Sequence, residues 1–87
     1  MALYSLSIKP SAAKELEAVG TKADRTRIVG RIRALAINPR PNGSEKLAGF
    51  DNQYRVRQGH YRLVYEIDDA ASAVTIYKVG HRKDVFR

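Results

Sequence analysis

Arg55, Arg57 and Arg62, within the stretch QYRVRQGHYRLVYEI at 53–67, are the side chains whose type and spacing point to chemistry. An extended chain alternates its side chains between two faces. Arg55 and Arg57 therefore share one face, and Tyr54 and Val56 share the other. Beyond Gln58-Gly59, the residues Tyr61, Leu63, Tyr65 and Ile67 oppose His60, Arg62, Val64 and Glu66. With Gln58-Gly59 as a two-residue hairpin loop, Arg57 is expected to face His60, Val56 to face Tyr61, Arg55 to face Arg62, and Tyr54 to face Leu63. One face then pairs apolar residues and the other pairs cations. Like charges placed opposite each other across a strand pair are destabilising. A bound polyanion relieves that cost, and phosphate matches the planar arginine fork. The bland alternative is a set of arginines splayed in water. Arg82, after Gly80 and His81, adds a cation where the chain can turn over the same sheet end.

Arginines without a metal can hold a phosphate and stabilise the extra charge of a pentacovalent transition state. With RNA, the 2′-hydroxyl beside the scissile phosphate is a built-in nucleophile, so alignment accounts for much of the rate. His60 and His81 are the side chains with an ordinary pKa near neutrality. Paired carboxylates, HExxH, a P-loop and Cys/His metal spacing are all missing, so no metal or cofactor is expected.

These residues need a scaffold, and 87 residues allow a single domain, 1–87, with a thin stability margin. Cysteine is absent, no apolar run is long enough to span a membrane, and Met1 to Ile8 lack the features of a signal peptide. A cytoplasmic protein without a membrane partner is the expectation. The net charge of +7 points to an anionic partner.

Alternation predicts a first strand over residues 2–8. Pro10 opens a helix over 10–19 whose inner face is Ala12, Leu16 and Val19, ended by Gly20. Thr21 to Asp24 resembles a capping box and predicts a second helix from Lys22 to Ile37, with Ile28, Ile32, Leu35 and Ala36 inward. Arg25, Arg27, Arg31 and Arg33 lie mostly off that stripe. Asn38 to Gly43 breaks the helix. A short strand at 45–49, the hairpin at 53–67, a turn at 68–72 and a last strand through Val79 complete the order. The class is α+β, with an N-terminal strand and two helices packed on an antiparallel β-sheet. Asp68 and Asp69 lie at the far end of the meander, which leaves the other end strongly cationic.

The stretches EKLAGFDNQYRVRQGHYRLVYEI and VGHRKDVFR resemble the RelE/ParE toxin superfamily, and within it the RelE-like mRNA interferase branch. The order of elements agrees over essentially the whole chain. The resemblance implies a RelE-like fold, similar to small microbial ribonucleases, and a toxin neutralised by a cognate antitoxin in a type II toxin–antitoxin system. The RelE branch cuts mRNA in the ribosomal A site without metal and leaves a cyclic phosphate. Its basic strand residues match Arg55 and Arg57, its YR arginine matches Arg62, and its C-terminal arginine matches Arg82. A tyrosine of that branch corresponds to Phe86, which has no hydroxyl, so His60 or His81 is the candidate for proton transfer. The resulting expectation is a metal-independent endoribonuclease with Arg57, Arg62, Arg82, His60 and His81 as catalytic candidates. Lys46, Arg55, Lys83 and Phe86 are the candidate RNA contacts, and the ribosome and mRNA are the expected partners. Two alternatives are a ParE-like inhibitor of DNA gyrase and a toxin-fold protein, weak in catalysis, that binds antitoxin or nucleic acid.

Overall fold

Thr21 starts the longer helix as its sequence predicts: its Oγ1 accepts the Asp24 backbone N–H at 3.1 Å, and Asp24 places a carboxylate in the positive first turn. A computed structural model describes residues 3–81. The elements in chain order are β1 (Ser5–Ile8), α1 (Pro10–Glu17), α2 (Lys22–Ile37), β2 (Glu45–Lys46), β3 (Gln53–Gln58), β4 (Tyr61–Asp68) and β5 (Ala73–His81). Removing the cap with Thr21→Ala is expected to cost about 1 kcal/mol. For a domain of this size, that lowers the melting temperature by about 4–8 °C, measurable by thermal circular dichroism.

Ile28, Ile32 and Leu35 are buried as the periodicity predicts, while Ala36 is only half-buried. The Ala36 carbonyl accepts the Tyr4 N–H at 2.9 Å and so ties α2 to the start of β1. In α1, Ala12 is fully buried; Val19, past the helix end at Glu17, is nearly so. Arg25 Nη1 donates to the Val19 carbonyl at 2.7 Å, tying the turn after the first helix to the second. No described helix is long and apolar enough to cross a membrane.

The described strands form one sheet in the order β1-β5-β4-β3-β2. The expectation of an antiparallel sheet needs a correction here, because β1 lies parallel to β5 and the sheet is mixed. A parallel neighbour needs a long crossover, and α1, α2 and the meander together supply it. The last strand also runs two residues past Val79. Its buried residues are Val74, Ile76 and Val79, a spacing that regular alternation does not allow. A register irregularity resolves it: Val64 pairs with Lys78 while the next residue, Tyr65, pairs with Ile76.

Where β1 ends, α1 covers the open edge of β5. Val79 N–H donates to Glu15 Oε1 and Lys78 Nζ to Glu15 Oε2, both at 2.8 Å. At the opposite end, Asp69 in the β4–β5 turn accepts from Tyr4 Oη at 2.7 Å and from Arg40 Nη2 at 2.8 Å. These donors, Arg40 first, hold its carboxyl below the usual range. The acidic end foreseen from Asp68 and Asp69 is therefore used as a clamp on the loop after α2.

Candidate phosphate-binding site

The β3–β4 turn consists of Gly59 and His60, one position later than the spacing predicts. Gly59 has φ +61°. Glycine at the first central position is what a tight hairpin of this kind demands. Gln58 consequently pairs with Tyr61, Arg57 with Arg62, Val56 with Leu63, and Arg55 with Val64. The expected Arg55–Arg62 opposition is corrected to Arg57–Arg62, and His60 sits in the turn rather than opposite Arg57. The shift is two residues, so the side chains of β3 and β4 keep their predicted faces, while His60 leaves the cationic face and stacks on His81.

Val56, Leu63, Tyr65 and Ile67 are buried under the helices. Arg55, Arg57 and Arg62 lie on the other side, where with Gly43 and Glu45 they line a cleft of about 370 Å³. Gly80 stands opposite Arg62 on β5 and puts no side chain beside it. Gly43 reaches the cleft at the end of the loop 38–43, with φ +90°.

The strand β2 supplies a residue that sequence reasoning missed. Glu45 stands opposite Arg55 in the β2–β3 register, and Arg55 Nη2 donates to Glu45 Oε1 at 2.5 Å. Arg55 is the main cause that holds the Glu45 carboxyl below the usual range, and the charges of Arg57 and Arg62 add to it. Glu45 therefore stays ionised, and Arg55 is neutralised while Arg57 and Arg62 face each other. Opposite charge at the position facing Arg55 was the available signal, once the short strand at 45–49 was laid antiparallel to the hairpin.

Lys46 opposes Tyr54, on the strand face away from the Glu45–Arg55 pair. It borders a second groove with Glu45, Leu47, Ala48, Phe50 and Arg55. His60 and His81 come together at the hairpin end, with ring centroids 6.2 Å apart and planes 18° from parallel. Tyr61 meets His81 edge-on at 5.6 Å. His81 pairs with Tyr61, so register puts both on the face of Leu63 and Val79, opposite to Arg57 and Arg62. The structure thus gathers Arg55, Arg57 and Arg62 in one cleft and gathers the histidines with each other. Arg82, Lys83 and Phe86 lie outside the described residues. On α2, Arg31 Nη2 reaches the Arg57 carbonyl from behind the sheet at 3.5 Å.

Chemically, the cleft suits a phosphodiester. Arg57 and Arg62, on adjacent strands and without an ion pair to any described residue, offer forked donors to one group of anionic oxygens.

The profile of the family described as "ParE toxin of type II toxin-antitoxin system, parDE" matches residues 6–86. The toxin RelE of Mycobacterium tuberculosis (strain ATCC 25618 / H37Rv) is 27% identical over 84 residues, which cover 97% of this chain and 87% of that protein. The toxin RelG of the same organism is 47% identical over 34 residues, only 39% of each protein. Among solved structures, the archaeal RelE–RelB complex from Pyrococcus horikoshii OT3 superposes with a TM-score of 0.83 at 26% identity, covering 95% of this chain and 99% of that one.

Proposed function

The chain belongs to the ParE toxin family of type II toxin–antitoxin systems, and from that premise we propose that it is a single-domain, ribosome-dependent endoribonuclease that cuts mRNA in the A site. The observation that carries this reading is the Arg57–Arg62 opposition in the cleft. In the proposed reaction the ribose 2′-oxygen attacks the adjacent phosphorus and the bond to the 5′-oxygen breaks. A cyclic phosphate and a 5′-hydroxyl result. The 2′-hydroxyl proton passes to a base, and the leaving 5′-oxygen takes one up. Arg57, Arg62 and Arg82 hold the non-bridging oxygens as charge builds on them. His60 and His81, gathered on the other face of the sheet, handle the proton only where the hairpin end rearranges on the ribosome. Lys46, Arg55, Lys83 and Phe86 contact the RNA.

The overall similarity to RelE toxins, one of them solved with RelB, supports both this activity and a cognate antitoxin as partner. The proposed site of action is the cytoplasm. An excess of +7 makes association with an acidic partner fast and salt-sensitive.

The described site shows no strongly basic group beside the arginines, so the ribosome must supply alignment, which can contribute about 7–11 kcal/mol to such a reaction. Purified protein is expected to cut mRNA on programmed ribosomes and to cut naked RNA poorly. Rapid cleavage of a bare oligonucleotide would contradict the proposed dependence. A second reading is favoured by the family profile's own description, ParE: inhibition of DNA gyrase. Intact message with stalled replication in expressing cells would select it.

A further inference from the structure

We infer that Glu45 is a built-in stand-in for a phosphate, a carboxylate that occupies the arginine cleft of the free protein and must be displaced when RNA binds. The inference deepens the proposed RNA site and rests on it. Four observations converge on this residue. It is the one acid among the described residues lining the cleft, beside Arg55, Arg57 and Arg62. Its carboxylate takes a guanidinium N–H of Arg55, the bond an RNA phosphate oxygen would accept. It sits on a two-residue strand at the sheet edge, whose side chains are exposed, so releasing it disturbs no core contact. The remaining ion pairs among the described residues, Asp24–Arg27, Arg40–Asp69 and Glu15–Lys78, involve none of the residues that line the cleft.

An ionised carboxylate at this place has two effects of opposite sign. In the free protein it offsets the mutual repulsion of three arginines. Toward RNA it competes, because Arg55 reaches a phosphate only after giving up Glu45. Loosely presented RNA is disfavoured, and RNA whose phosphates are already aligned is not. Glu45 is on this account a specificity-determining residue that suppresses binding to stray single strands.

The test uses parent protein, Glu45→Gln and Arg62→Ala. Each is titrated with a short single-stranded RNA carrying 2′-O-methyl riboses, which cannot be cut, at low and high salt. Glu45→Gln is expected to bind about 3- to 10-fold tighter at low salt, as removal of one nearby like charge predicts. Its salt dependence should steepen by up to about 0.7 in log–log slope, the share of one single-strand phosphate contact. Its melting temperature without RNA should fall at low salt and converge on the parent's at high salt. An ordinary structural ion pair gives the lower melting temperature without the tighter binding. Unchanged or weaker RNA binding by Glu45→Gln, while Arg62→Ala loses affinity, overturns the inference and leaves the RNA site standing. Unchanged binding by Arg62→Ala removes the RNA site, and the inference falls with it.

Discussion

Arg62→Ala is expected to abolish toxicity while the domain stays folded. Loss of one donor aimed at transition-state charge costs about 100- to 1000-fold in rate. Stability should move little, because two small effects oppose. Arg62 faces Arg57 directly across β3 and β4, so its removal relieves a like-charge pair worth about 0.2–1 kcal/mol. The half-buried side chain also packs its stem against neighbours, and that contact is lost. The melting temperature should therefore stay within a few degrees of the parent's. Arg40→Ala is the matched control at the other end of the sheet. Arg40 binds Asp69 and Tyr54 and lines no part of the cleft. Its loss should lower the melting temperature and reduce cleavage far less than Arg62→Ala does. Ribosome-programmed mRNA cleavage and thermal circular dichroism, run on both variants, separate the two roles. A folded Arg62→Ala protein that still cleaves removes Arg62 from the site.

The face on which Arg62 lies was legible in the sequence, and its partner was not. Faces depend only on alternation, and alternation over 53–58 and 61–67 is regular. Register depends on the turn, and sliding the hairpin by two residues leaves the strand side chains on their faces. Only the preference of Gly59 for positive φ at the first turn position separates the two pairings. The bounds of α2 were legible because Thr21 caps one end and Asn38-Pro39 breaks the other. The parallel seat of β1 beside β5 was not, since no local pattern says which distant strand receives it. Glu45 escaped notice for the same reason: its meaning lies in a cross-strand neighbour ten positions away. The irregularity in β5 was written in the spacing of Val74, Ile76 and Val79, which cannot share a face of a regular strand.

Tyr65→Phe is expected to be the most damaging single-atom change in the fold, and one that reaches the cleft. Tyr65 is fully buried in the central strand β4 and stacks on Tyr54 at 6.0 Å. Its hydroxyl donates to the Pro39 carbonyl at 2.7 Å. Burial pushes the phenol pKa up, so the hydroxyl stays a neutral donor at any physiological pH. Phenylalanine keeps the ring and leaves that carbonyl, beside the buried ring of Pro39, without its partner. An unsatisfied buried acceptor costs about 1–3 kcal/mol. At about 4–8 °C per kcal/mol for a domain of this size, the melting temperature should drop clearly. The total margin available is about 4–13 kcal/mol for 87 residues. Pro39 belongs to the segment that carries Arg40 to the Asp69 clamp and ends at Gly43 in the cleft wall. Freed from Tyr65, this segment should lose amide hydrogen-exchange protection before the sheet does. Cleavage should fall less than in Arg62→Ala, because the arginines stay in place and only one wall of the cleft loosens. A melting temperature equal to the parent's would mean that water replaces the phenol at Pro39, and the loop would then owe its position to Arg40 and the two prolines alone.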